Sequence, residues 1–221
     1  MRGNVLWLSV ASFLNDASSE MIYPLLPLFL TGTLGAGAAF VGLIEGAAES
    51  ASSLLKLASG WLADRTGRRK PLTVAGYGIA SAARPLIGLA TAAWQVLAIR
   101  LLDRVGKGLR TAPRDALLAE SVPEDRRGAA FGLHRAADHS GAVVGPLLAS
   151  ALLLAFPGDL RTVFAFALVP GLLTVAVVAW KVRETAPAAQ PAAASAPPAA
   201  PPLPRLRELG PVLPRYLAVL V

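Results

Sequence analysis

The chain has 221 residues, 54% of them hydrophobic and only 16% charged, with a mean hydropathy of +0.55, which excludes an ordinary water-soluble domain and describes a membrane protein. The formal net charge of +7 would suit nucleic acid, but the basic residues lie between and within apolar runs rather than on one soluble face, so no nucleic-acid partner is expected. With no cysteine and two histidines, there is no disulfide framework, no thiolate nucleophile and no basis for a structural zinc site.

A first apolar segment over about 5–30 is long enough, at 1.5 Å per residue, to cross a hydrocarbon core of roughly 30 Å with some tilt. Its length and the polar Asn15, Asp16 and Glu20 within it set it apart from a cleaved signal peptide, so it is read as helix 1. Helices 2 to 6 are expected over about 39–62, 72–90, 94–118, 127–156 and 162–180. The connecting loops alternate in charge. Residues 31–38 and 89–93 carry none, and 157–161 carries one charge of each sign. The intervening loops hold Arg65, Arg68, Arg69 and Lys70, then Arg126 and Arg127, then Lys181 and Arg183. By the positive-inside rule the basic loops are cytoplasmic, which predicts six helices with both ends in the cytoplasm, in the inner or plasma membrane of a cell.

Beyond Glu184 the chain changes character. Residues 185–214 are rich in alanine and proline without periodicity, as in a flexible or polyproline-like cytoplasmic linker. Residues 215–221 begin another apolar run, expected to be the start of a truncated seventh helix.

Between helices 2 and 3 lies Gly60-Trp61-Leu62-Ala63-Asp64-Arg65-Thr66-Gly67-Arg68-Arg69-Lys70. Basic residues alone would anchor a topology without Gly60, Asp64 and Gly67 at these spacings. The pattern resembles the signature loop between the second and third transmembrane helices of the major facilitator superfamily of secondary transporters. The resemblance implies an all-α integral membrane fold, with residues 1–184 as the amino-terminal six-helix half of a twelve-helix bundle. It also implies a small-molecule cavity between two halves related by an axis along the membrane normal. The partners so implied are the lipid bilayer, a small-molecule substrate, and either the missing carboxy-terminal half or a second copy. In that family the loop latches cytoplasmic helix ends together in the outward-facing state. Gly60, Asp64, Arg65, Gly67, Arg68 and Arg69 would form the latch, Asp64 meeting a helix end and Arg68 a carboxylate.

In helix 5, Gly132, Gly141, Gly145 and Pro146 are followed by Ala149. Small residues at these steps let backbones approach and the proline bends the helix, which is one complete explanation. The pattern also resembles the helix 5 motif associated, within the superfamily, with exporters that work as antiporters, which implies efflux. Ala149 stands where that motif has glycine.

Helix 4 is unusually charged. Counting from Trp94, Arg100 lies about 9 Å deep at 1.5 Å per residue, and Asp103, Arg104, Lys107, Arg110 and Arg114 follow at helical spacings that make one broad stripe. The stripe is expected to line the cavity, the deeper cations having the alternative of reaching the interface by snorkelling. Arg100 resembles the helix 4 arginine that many members use near the proton or substrate path, whereas Arg104 stands where glycine is usual. Acidic counterparts are Asp16 and Glu20 in helix 1 and Glu45 and Glu49 in helix 2, each pair at i, i+4, with His134, Arg135, Asp138 and His139 in helix 5. Unpaired charges at the bilayer centre cost a few kcal/mol or more, so these groups are paired or hydrated. One reading is a structural net of ion pairs. The other is that a carboxylate without a permanent partner loads and unloads a proton. Asp16, Glu20 and Asp138 are the candidates, because helices 1, 4 and 5 line the cavity in the family that the chain resembles. Arg84 is read as structural, paired with a carboxylate of helix 1 or 2.

His134 and His139 fall about 140° apart on a helix and do not make a chelating pair, so no metal is expected. No phosphate-binding loop and no nucleophile elbow occur; neither an enzyme nor a cofactor is expected, and a proton gradient would supply the energy. The function these features point to is proton-coupled efflux of a small molecule by alternating access. The alternatives are proton-coupled uptake of an anionic solute drawn to Arg100, Arg104 and Lys107, and, from another class, a non-transporting membrane scaffold or receptor.

Overall fold

In a computed structural model of the chain, residues 3–185 are described. They form six helical segments: α1 (Gly3–Glu20), α2 (Ala38–Thr66), α3 (Arg69–Leu86), α4 (Ala93–Glu120), α5 (Arg127–Ala155) and α6 (Leu160–Lys181). The expected linker beyond Thr185 and the expected seventh helix lie outside the described residues.

Helix 1 is not the uninterrupted rod expected over 5–30. Regular α-helix stops at Glu20 and gives way to a 3-10 turn at Tyr23–Leu25, a helical turn at Leu26–Leu28 and a wide π turn at Phe29–Thr33. Pro24 and Pro27 cause this, since neither has an N–H to donate to the carbonyl four residues back. The same physics interrupts α6 at Ala167. Pro170 leaves the carbonyl of Phe166 without its helical donor, while the Ser18 hydroxyl donates to the carbonyl of Ala167 at 2.8 Å. At the other end of the bundle α2 stops at Gly67, whose φ of 63° is left-handed and whose N–H donates to Ala63 O at 2.9 Å. Glycine adopts that cap without a Cβ penalty.

Only α3 with its 3-10 continuation (Arg69–Leu89), α5 with the turn before it (Glu124–Ala155) and α6 (Leu160–Lys181) are, among the described residues, long and apolar enough by themselves to cross a membrane. The bundle turns its polar side chains inward. Arg84, Arg100 and Asp103 are buried, whereas Leu54, Leu154 and Trp180 are 71%, 84% and 81% exposed. Charge inside and leucine outside is the arrangement a hydrocarbon solvent requires.

α1 packs against α5 and α6, α3 against α4 and α6, and α2 against α4. Small residues bring these backbones close. A Cβ at Gly145 would lie 2.7 Å from the Ala17 carbonyl oxygen, and one at Gly106 2.6 Å from that of Gly76. Serines tie the same interfaces, with Ser59 donating to Gly108 O at 2.8 Å and Ser81 to Gly171 O at 3.0 Å. Two apolar clusters close the ends. One gathers Ile22, Phe29, Leu30, Ile44 and Phe164, with Phe29 and Phe164 edge to face at 5.3 Å; the other gathers Val5, Leu8, Tyr77, Leu117 and Val178. The charged residues lie in the layer between.

The beginning and end of the bundle meet at one face. Asn4 Nδ2 donates to Arg183 O, and Arg183 N–H donates back to Asn4 Oδ1, both at 2.9 Å. Glu184 lies at the start of α3, accepting from the Arg69 N–H at 3.2 Å and the Lys70 N–H at 3.0 Å, two donors that the first turn of a helix leaves without partners.

Candidate functional site

The innermost polar contact joins α3 to α4. Arg84 Nε donates to Asp103 Oδ1 at 3.0 Å and Arg84 Nη1 to the Asn15 carbonyl at 3.1 Å. The Tyr23 hydroxyl donates to the other oxygen of Asp103. Arg100 stacks on the Tyr23 ring at 3.9 Å, lies 3.8 Å from Asp103 Oδ2, and donates through Nη2 to both oxygens of Glu45 at 2.6 and 2.5 Å. Four segments are thereby stitched together around Tyr23, with each buried charge facing an opposite one. Where one member of such a pair is removed, the other is left uncompensated at a cost of about 3–5 kcal/mol.

These contacts revise the expected pairing. Arg84 meets a carboxylate of helix 4, not one of helix 1 or 2. Arg100 and Asp103, expected on the cavity wall, are each 1% exposed and belong to the closed network behind it. The wall itself is formed by residues one turn further along α4.

That cavity has a volume of about 370 Å³ and is lined from five helices: Asn15, Asp16, Ser19, Glu20 and Tyr23 of the first segment, Lys56 of α2, Arg84 of α3, Arg104, Lys107, Arg110, Thr111 and Arg114 of α4, and Arg135 and Asp138 of α5. Seven cationic side chains face three carboxylates there, so the lumen is basic even though the network beside it is balanced. Glu49 draws part of that charge to one side, lying 4.0 Å from Arg104, 3.9 Å from Lys107 and 4.0 Å from Lys56. Arg114 donates to Asp115 Oδ1 through Nε and Nη2 at 3.0 and 2.8 Å.

The three carboxylates differ in their company. Asp138 accepts a hydrogen bond from the Ser12 hydroxyl and lies 3.4 Å from Arg135 Nη1. Asp16 accepts from Asn15 Nδ2 at 2.9 Å. Neither Asp16 nor Glu20 has an ion-pair partner among the described residues, although both line the cavity. His134 is buried near the Ser12 hydroxyl at 3.4 Å, whereas His139 is exposed. Among the described residues no group of three or more metal-ligating side chains comes together.

The glycine motif of helix 5 divides in the structure. Gly141 and Gly145 press on the backbone of α1 at Phe13, Ala17 and Glu20, but a Cβ at Gly132 would meet nothing within 4 Å. Pro146 lies within α5, next to the contact.

In the loop after α2, Gly60 faces Ala112 of α4, where an added Cβ would lie 3.4 Å away. Arg65 lies 5.2 Å from the Trp61 ring, and Gly67 caps the helix. The carboxylate contact expected of Arg68 falls instead on Arg69, which pairs with Glu120 at the end of α4. Arg68 is exposed and has no ion pair among the described residues. The side chain of Asp64 lies outside those described.

Tyr23 is concealed in the sequence by its apolar run, although its place directly before Pro24 marks a helix break within that run. Gly106 and Gly108 of α4 carry no motif that marks them in the sequence. Both are contact points, Gly106 with Gly76 and Ala80 of α3, Gly108 with Ser52 and Leu55 of α2.

Comparison with known proteins gives the same architecture. Residues 8–221 match the family model of the Major Facilitator Superfamily. The chain is 39% identical over 172 residues to an uncharacterized MFS-type transporter of Methanocaldococcus jannaschii, covering 78% of this chain and 43% of that one. It is 32% identical over 160 residues to the multidrug resistance protein MdtH of Escherichia coli, covering 72% and 39%. The chain therefore spans less than half the length of these relatives. In fold it is similar to a bacterial homolog of the human lysosomal transporter Spinster in an inward-facing, occupied conformation, with a TM-score of 0.70 at 22% identity over 81% of this chain and 44% of that one. It is similar too to the peptide transporter POT, with a TM-score of 0.71 at 18% identity over 81% and 37%. The chain belongs to the major facilitator superfamily of multi-pass membrane transporters.

Proposed function

We propose that the full-length protein exports a small molecule in exchange for protons by alternating access of the charged cavity to the two sides of the membrane. The observation that carries this reading is the pair Asp16 and Glu20, two carboxylates on the cavity wall with no cation at ion-pair distance among the described residues. A carboxylate locked to an arginine does not cycle its proton easily; these two are not locked. Export is supported by the close seat of Gly141 and Gly145 on α1 and by likeness to MdtH, a protein named for multidrug resistance. The missing carboxy-terminal half, or a second copy, would supply the facing wall. The loop from Gly60 to Arg69 would act as the latch, on a cytoplasmic face shared with the amino terminus and the linker in the inner or plasma membrane. The proton gradient serves as the energy source, with no cofactor and no enzymatic step.

A second reading, proton-coupled uptake of an anionic solute, is favoured by the cationic surplus of the lining. Full-length protein in proteoliposomes separates the two when a pH gradient of either sign is imposed. Solute movement against the proton flow supports export, accumulation along it supports uptake, and indifference to the gradient removes proton coupling from both.

A further inference from the structure

We propose that Arg110 is the seat of an oxyanion, the carboxylate or phosphate group of a small solute held in the cavity. This rests on the cavity being the solute site, but on neither direction of transport.

The cations of α4 are not equivalent. Arg100 is paired with Glu45 through Nη2, Arg104 and Lys107 lean toward Glu49, and Arg114 is doubly bonded to Asp115. Arg110 differs from all of these in having no carboxylate at ion-pair distance among the described residues, although Arg100 Nε and Nη1 and Arg104 Nε are likewise buried without a hydrogen bond. Arg110 is 5% exposed and lines the cavity, yet its buried Nε and Nη1 have no hydrogen-bond partner among the described residues. A guanidinium withdrawn from water without an acceptor is costly, so the position calls for an anion or water from the lumen.

The stem of Arg110 is fixed as a binding group requires. Its guanidinium lies 4.6 Å from the centre of the Tyr77 ring, a stacked cation–π arrangement. Its Cβ abuts Gly76, where an added Cβ would come within 2.6 Å. A planar donor held in one orientation and presenting several N–H groups matches the oxygens of a carboxylate or phosphate in a bidentate way. Asp16 and Glu20 across the lumen repel an anion, so the ligand is compact and held on the α4 side. A cavity of about 370 Å³ lies within the range for small-molecule sites.

The test uses full-length protein in nanodiscs of zwitterionic lipid, titrated with inorganic phosphate and separately with acetate, against chloride at matched ionic strength. A saturable rise in Tm with either oxyanion is expected, and the responding arm identifies phosphate or carboxylate chemistry. In Arg110→Gln the apparent affinity should fall roughly tenfold to a hundredfold, the loss of a charge-assisted hydrogen-bonded contact. Arg126→Gln, on the exposed turn before α5 and outside the cavity lining, should leave it unchanged. If neither oxyanion exceeds chloride, or Arg110→Gln binds like the unaltered protein, the assignment is wrong. Should Arg110→Gln not fold, Arg110→Lys decides: it keeps the charge and loses the fork, and an unchanged titration there overturns the assignment. Gradient-driven transport is followed in the same preparation. Transport without oxyanion binding removes the Arg110 site alone, and binding without transport removes the proposed coupling alone.

Discussion

Arg84 and Asp103 form an ion pair at 3.0 Å with side chains only 3% and 1% exposed, bridging α3 and α4. Asp103→Ala leaves the buried Arg84 guanidinium without its carboxylate and should destabilise the protein by about 3–5 kcal/mol. Replacing both residues by apolar ones of similar size, Arg84→Met with Asp103→Leu, should be less harmful than the single change, because no orphaned charge remains. Thermal unfolding in one detergent compares the two. A double variant less stable than Asp103→Ala would mean that the pair is not held by mutual compensation.

The helix 5 glycines give a second contrast. Gly145→Leu drives a branched side chain into the Ala17 carbonyl and the Glu20 Cβ, which an added Cβ alone would approach to 2.7 and 2.8 Å. Separating α1 from α5, or distorting them, should cost about 1–3 kcal/mol or more. Gly132→Ala meets open space and should be neutral or slightly stabilising through helix propensity. Equal losses of Tm at both positions would contradict a packing role confined to Gly141 and Gly145.

This contrast also marks what a sequence conveys. Six helical segments are legible because apolar runs, uncharged turns and basic turns alternate, but the second runs on to Thr66, past the expected end at 62, because its left-handed cap falls at Gly67. Which charge meets which was not. The spacings i, i+3 and i+4 relate residues on one helix, but Arg84 finds Asp103 rather than an acid of helix 1 or 2 through the relative height of α3 and α4, which no spacing encodes. Arg69 rather than Arg68 reaches Glu120 for a similar reason: past Gly67 the chain re-enters a helix, and one residue turns the side chain by about 100°. The division of the α4 stripe into a closed network and an open wall depends on Glu45, Glu49 and Tyr23, brought in from other segments.

Glu184 provides a test at the edge of the bundle. Its carboxylate accepts from the N–H groups that open α3, where a negative charge also complements the helix dipole. Glu184→Gln should lower stability by about 0.5–1 kcal/mol, and the deficit should shrink in concentrated salt, as a screened surface interaction does. A deficit unaffected by salt would point to lost packing instead.

If Asp16 or Glu20 carries the proton, Asp16→Asn and Glu20→Gln keep the size and polarity of the side chain while fixing it in a neutral, proton-loaded form. In proteoliposomes, gradient-driven movement of solute should fall by at least about tenfold for the carrier. Exchange of labelled for unlabelled solute at equal pH needs no net proton transfer and should persist. The Asn15–Asp16 hydrogen bond suggests which residue is freer to act: Asp16 accepts at 2.9 Å from its neighbour, whereas Glu20 has no side-chain hydrogen bond among the described residues. Glu20→Gln is therefore expected to have the larger effect on coupling, and Asp16→Asn, whose Oδ1 can still accept from Asn15, the smaller one. Loss of both activities in both variants would reduce the two carboxylates to structural groups, and gradient-driven transport that survives in the double variant would move the proton site to Asp138 or into the other half.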